Sequence, residues 1–98
     1  MENIILNESA NVLVTGGAGF IGSNFVRHIL GKSEFRGKVI NLDSLTYAGN
    51  LMSLEDVDKA FGETRYIFER ADIRDFEKVQ GIMRKHDINV LVHFAAES

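Results

Sequence analysis

The sequence predicts an α/β protein built on a parallel sheet wound by helices on both faces. Three observations predict it. Four short, apolar, strand-like runs alternate with three helical patterns. The first strand breaks directly into a glycine-rich turn that opens a helix, and the second strand ends in an acid.

From Asn11 the chain reads Val12, Leu13, Val14, Thr15, a β-branched apolar run that stops at Gly16-Gly17-Ala18-Gly19, a buried strand entering a tight turn. After the turn, Phe25, Val26, Ile29 and Leu30 recur on one helical face while Asn24, Arg27 and His28 fall on the other, and Gly31 marks the helix end. Lys38 to Asp43 is the second strand, with Val39, Ile40 and Leu42 apolar. Leu51, Leu54, Val57 and Phe61 outline a weaker helix, and Arg65 to Ala71 contains the strand-like Tyr66, Ile67 and Phe68. Asp75 is placed to cap the next helix, whose buried face is read as Phe76, Val79, Ile82 and Met83. Val90, Leu91, Val92, His93 and Phe94 form a nearly continuous apolar run, the pattern of a strand covered on both sides.

Alternating strands and helices imply parallel pairing with right-handed crossovers, and a Rossmann half would order the strands 3-2-1-4. That order leaves strand 4 at an edge, four residues before the last one, Ser98, so residues 1–98 are read as the first part of a dinucleotide-binding domain whose remaining strands lie elsewhere. An isolated piece of this kind is expected to be marginally stable or prone to aggregation.

Composition narrows the function. Ninety-eight residues, against a typical ~150 for a domain, allow one folded unit at most. With 45% hydrophobic and 26% charged residues the chain sits in the ordinary globular range, and no apolar run is long enough for export or for crossing a membrane. Eleven basic against fourteen acidic residues leave a net charge of −3, the wrong sign for a nucleic-acid binder. The absence of cysteine removes disulfides and thiolate chemistry and fits a cytoplasmic setting. His28, His86 and His93 share no metal spacing, so His28 and His86 read as surface or helix-end residues and His93 as a partly buried strand residue; Met52 and Met83 read as core filler, and Arg65, Arg70 and Arg74 read as a solvated face.

The chemistry concentrates at the first turn. Gly16-Gly17-Ala18-Gly19-Phe20-Ile21-Gly22 satisfies G-x-x-G-x-x-G from Gly16 and G-x-G-x-x-G from Gly17. A plain tight turn would also use glycine, but here the motif follows a strand and opens a helix, where a backbone without Cβ atoms can approach a pyrophosphate. The amides of Phe20, Ile21 and Gly22 would face the anion, assisted by the helix dipole. Asp43 follows Gly22 by about twenty residues, at the end of the second strand, where a carboxylate accepts from the adenosine ribose hydroxyls. It would repel a 2′-phosphate, and no arginine stands in Asp43-Ser44-Leu45-Thr46, so NAD is favoured over NADP. Asp72-Ile73, after the third strand, could flank an adenine, Asp72 bonding its amino group and Ile73 packing on the ring; equally, Asp72 could cap a turn. Ala95-Ala96-Glu97 follows the fourth strand, where small side chains would let a dinucleotide cross the sheet.

Val14 through Gly22 resembles the corresponding segment of the extended short-chain dehydrogenase/reductase superfamily. A narrower likeness, to the dTDP-glucose 4,6-dehydratases, comes from Asn41-Leu42-Asp43, from Leu45-Thr46-Tyr47-Ala48-Gly49-Asn50-Leu51, and from His93-Phe94-Ala95-Ala96-Glu97-Ser98. It runs from about Asn11 to Ser98 and covers only the cofactor-binding first part of such an enzyme. Ser44 departs from the pattern, since the dehydratases usually carry lysine there.

The resemblance implies that Phe20 and Ile21 contact the NAD pyrophosphate, Asp43 through Thr46 the adenosine ribose, and Asp72-Ile73 the adenine. It implies that Phe94 through Ser98 line the nicotinamide side, with Ser98 near the sugar. The implied reaction takes hydride from C4 of the sugar onto NAD+, eliminates water across C5 and C6, and returns the hydride to C6. Its products are water and a 4-keto-6-deoxy sugar. The superfamily's base is a tyrosine beside a lysine, in Tyr-x-x-x-Lys. The only tyrosines here are Tyr47 and Tyr66, followed four residues on by Leu51 and Arg70, so these 98 residues alone are expected to be inactive. The implied partner of the full-length parent is a nucleotide sugar, and the resemblance leaves room for a homodimer. Two other readings stay open: part of a related UDP-sugar epimerase or dehydratase, and a non-catalytic NAD-binding or interaction module.

Overall fold

A computed structural model describes residues 10–16, 20–32, 34–44, 54–62 and 64–94. Four strands, β1 (Asn11–Thr15), β2 (Lys38–Asp43), β3 (Tyr66–Arg70) and β4 (Val90–His93), alternate with three helices, α1 (Phe20–Leu30), α2 (Glu55–Phe61) and α3 (Phe76–Lys85). The strands form one sheet in the order β3-β2-β1-β4, every pair parallel, as the alternation predicts.

Strand side chains alternate between the two faces, and each face has its own core. Val12, Val14, Val39 and Tyr66 pack under Val26, Ile29 and Leu30 of α1 and Leu54 and Val57 at α2. Leu13, Ile40 and Leu42 face the other way, onto Ile82, Val79 and Met83 of α3. The central strands are therefore apolar on both sides, because both sides are covered. At the start of β2, Gly37 lets the chain pass close to β1: a Cβ there would lie 1.8 Å from the Ala10 carbonyl oxygen, the group that accepts from Lys38 N at 3.1 Å.

Several sequence expectations change. Among the described residues β4 is covered on one face only: Val90 and Val92 turn toward the α1 side, whereas Leu91 is 56% exposed and His93 is exposed. Among the described residues, the apolar cluster beneath α3 draws on β1, β2 and β3 and includes no side chain of β4. His93, expected to be a partly buried strand residue, stands on that open face. Phe76, expected in the buried face of α3, is 71% exposed. It opens the helix, where Ile73 and Ala71 already fill the core, and the inward stripe begins one turn later at Val79.

Arg65 does not belong to a solvated face. Its guanidinium stacks over Phe35 and Phe61, 5.5 and 5.4 Å from the ring centroids, and donates to the carbonyl oxygens of Gly37 and Phe35. Leu51 and Met52 lie outside the described residues.

Candidate nucleotide site at the carboxyl edge of the sheet

The carboxyl ends of the strands are laced into one edge. Ala71 N donates to Asp43 O at 3.2 Å, Gly16 N to Leu42 O at 2.9 Å, and Phe94 N to Thr15 O at 2.8 Å. These bonds put the residues that follow β1, β2, β3 and β4 side by side. The candidate residues Gly16, Asp43, Asp72 and Phe94, scattered in sequence, thus share one rim.

Gly16 has φ of +75°. An L side chain is strained in that region, so the glycine is required for the chain to leave β1 toward α1. Gly22 and Ser23 are buried in the first turns of α1, while Ile21 is 67% exposed. The first turn of α1 contains no acidic residue. Helix N-termini carry unsatisfied N–H groups and a partial positive charge, so this one brings no carboxylate of its own to offset that field. Gly19, Leu45, Thr46, Ala95, Ala96, Glu97 and Ser98 lie outside the described residues.

Asp43 ends β2 in register with Arg70 and is 3% exposed. A buried carboxylate needs partners, and Asp43 has them. Two residues back along β2, on the α1 side, Asn41 is fully buried and donates through Nδ2 to Tyr66 Oη at 3.0 Å. Burial pushes the Tyr66 phenol above its ordinary value, so it stays a neutral hydroxyl.

Asp72 shows the turn role of its two open readings. Its carboxylate accepts from Arg74 N at 2.8 Å and from the Arg74 guanidinium at 2.7 Å. The Arg74 hydrogen bonds hold it at a pKa of about 2. An adenine amino group would have to share that carboxylate with Arg74. Ile73 packs into the α3-side core. Phe94 leaves β4 with its ring against Phe25 of α1, centroids 5.3 Å apart, which fixes the β4 exit to the helix.

Further pairings between elements escaped the sequence reading. Thr15 Oγ1 and His93 Nδ1 are 2.5 Å apart across β1 and β4. The available signal was a polar residue ending each of two apolar strands. On β3, Glu69 binds His86 Nε2 at 2.7 Å and Lys85 Nζ at 3.3 Å, which ties the end of α3 to the sheet. The hydrogen bond from His86 chiefly lowers the Glu69 pKa. His86, expected at the surface or a helix end, caps α3 with its side chain only 10% exposed.

A parallel sheet in the order 3-2-1-4, with a glycine turn after β1 and a buried acid at the end of β2, defines the amino-terminal part of a Rossmann-type nucleotide-binding domain. The family described as GDP-mannose 4,6 dehydratase matches residues 13–98, and the chain belongs to that family. It is 51% identical over 87 residues to the dTDP-glucose 4,6-dehydratase of Shigella flexneri, covering 89% of this chain and 23% of the relative. Over 88 residues it is 49% identical to the dTDP-glucose 4,6-dehydratase of Neisseria gonorrhoeae, covering 90% of this chain and 24% of the relative.

Among solved structures, the Bacillus anthracis dTDP-glucose 4,6-dehydratase in complex with NAD superimposes with a TM-score of 0.82 at 43% identity, covering 91% of this chain and 27% of that one. The Stenotrophomonas maltophila UDP-glucose-4-epimerase with bound NAD gives 0.75 at 36% identity, covering 91% and 25%. The chain therefore spans about a quarter of the length of these relatives.

Proposed function

We propose that these residues form the NAD-binding first part of a dTDP-glucose 4,6-dehydratase. When bound, NAD supplies reversible hydride acceptance. This chain's residues hold the cofactor: the amides of Phe20, Ile21 and Gly22 take the pyrophosphate at the start of α1, with Gly16 and Gly19 keeping the turn free of side chains. Asp43 accepts from the ribose hydroxyls, with Ser44, Leu45 and Thr46 beside it. Asp72 and Ile73 border the adenine side, and Phe94, Ala95, Ala96, Glu97 and Ser98 follow β4 toward the nicotinamide, with Ser98 nearest the sugar. The nucleotide sugar is the substrate of the parent enzyme, and the residues that deprotonate and dehydrate it lie outside this sequence. No helix among the described residues is long and apolar enough to cross a membrane.

The observation that carries this reading is the buried carboxylate of Asp43 beside the positive-φ turn at Gly16. Hydrogen bonds to a charged group contribute about 1.5–3 kcal/mol each. Asp43→Ala should therefore weaken NAD binding by about tenfold or more, measured by calorimetric titration, with the circular dichroism spectrum unchanged. Equal affinity in the two proteins sinks the ribose role.

A further inference from the structure

Thr15 and His93 are the last residues of β1 and β4 and face each other in register. Beyond them the two strands part. From Thr15 the chain turns through Gly16 toward α1, and from His93 it leaves the sheet at Phe94. The backbone holds this last position through Phe94 N to Thr15 O at 2.8 Å, and the side chains add a second bond, Thr15 Oγ1 to His93 Nδ1 at 2.5 Å. Thr15 is 4% exposed, whereas His93 stands on the uncovered face of β4. A buried hydroxyl needs a partner, and a ring on an uncovered strand face needs something to hold it. Each supplies the other's need. Either direction satisfies the pair: the Thr15 hydroxyl donates to a bare Nδ1, or a protonated Nδ1 donates to Thr15 Oγ1.

The position of this bond gives it a consequence beyond stability. In the NAD reading above, on which this inference rests, the pyrophosphate lies at the turn after Thr15 and the nicotinamide half lies over the segment after His93. We propose that Thr15 and His93 are positioning residues for the dinucleotide, their bond fixing the gap between the glycine turn and the β4 exit that the cofactor must bridge. The adenosine diphosphate half touches only the β1 and β2 side of that gap.

The test is therefore a pair of titrations, with NAD and with ADP, on the chain and on Thr15→Val, His93→Leu and Thr15→Ser. Thr15→Val and His93→Leu should weaken NAD by about threefold to tenfold, the loss of one hydrogen bond, and leave ADP unchanged. Thr15→Ser, which keeps the hydroxyl, should restore NAD affinity. Equal weakening of NAD and ADP would reduce the pair to a structural role and overturn the proposal, as would unchanged NAD affinity in both variants. If Thr15→Val fails to fold, His93→Leu on the exposed face carries the comparison. In nitrogen-15 NMR of the imidazole the Nδ1 resonance should also move in Thr15→Val; a resonance that does not move contradicts the bond. A chain that binds neither nucleotide overturns the NAD reading and this inference together. One that binds both, with indifferent variants, overturns only the positioning role.

Discussion

Helices α1 and α3 each follow a strand of the sheet, and the side chains around their starts differ in opposite ways. After β3 the chain satisfies itself. Asp75 caps α3 by accepting from Lys78 N at 3.2 Å, Asp75 N donates to Asp72 O at 2.9 Å, and the Asp72 carboxylate is filled by Arg74. Glu77 adds a further acid in the first helical turn. After β1 the first helical turn holds no acid, and the residue before the helix is a glycine with no side-chain oxygen. Both helices follow a parallel strand, so the contrast lies in the side chains their sequences supply. A helix start that supplies its own acceptors has little left for an anion, whereas one built on glycine leaves its donors to whatever negative group arrives.

Giving α1 an acid of its own should break that contrast most strongly. Ile21 is exposed in the first turn of α1, so Ile21→Glu places a carboxylate there without opening the core. The charge should stabilise the chain by about 0.3–1 kcal/mol through the helix dipole. The same charge should weaken NAD binding on the order of tenfold, because it repels the pyrophosphate at close range. Stability rising while affinity falls is the signature. Thermal denaturation and NAD titration of the same samples measure both, and a variant that gains stability with full NAD affinity would show that the pyrophosphate does not sit at α1.

The converse change belongs at α3. Asp75→Ala removes a side-chain cap, which costs about 1 kcal/mol. Chemical denaturation should show that loss, and NAD affinity should not change. A fall in NAD affinity matching the one at Ile21 would mean that the two helix starts are not separate devices.

What could be read beforehand follows from how far apart the partners lie. Val12 to Thr15, Lys38 to Asp43 and the Asp75 cap are local patterns, set by period, strand ends and a capping side chain within a few residues. They appear in the structure where the sequence places them. Asp43 was legible as a candidate because its spacing from the glycines reflects one βαβ unit. Arg65 between Phe35 and Phe61, Glu69 with His86, and Thr15 with His93 join residues from different elements, and nothing local to any of them announces the partner. Phe76 and Leu91 fail for a related reason. Periodicity names the apolar face of an element, but whether that face is covered depends on where the neighbouring helix ends.

The smallest effect concerns protons at the β3 turn. Asp72 titrates at about 2 instead of its ordinary 3.8, chiefly because the Arg74 side chain hydrogen-bonds to the ionised carboxylate. A folded-state pKa below the unfolded one means that the ionised group favours folding. Its contribution is complete above the unfolded pKa and is lost as pH falls from about 4 toward 2. The Asp72 side chain is 39% exposed, so salt should screen much of this interaction. Arg74→Ala should return the Asp72 pKa toward 3.8 in a carboxyl-carbon NMR titration. It should also flatten the acid limb of the stability curve in that window. If Asp72 still titrates near 2 without Arg74, something other than the local turn holds its charge, and the β3 turn would not be the self-satisfied counterpart of the β1 turn.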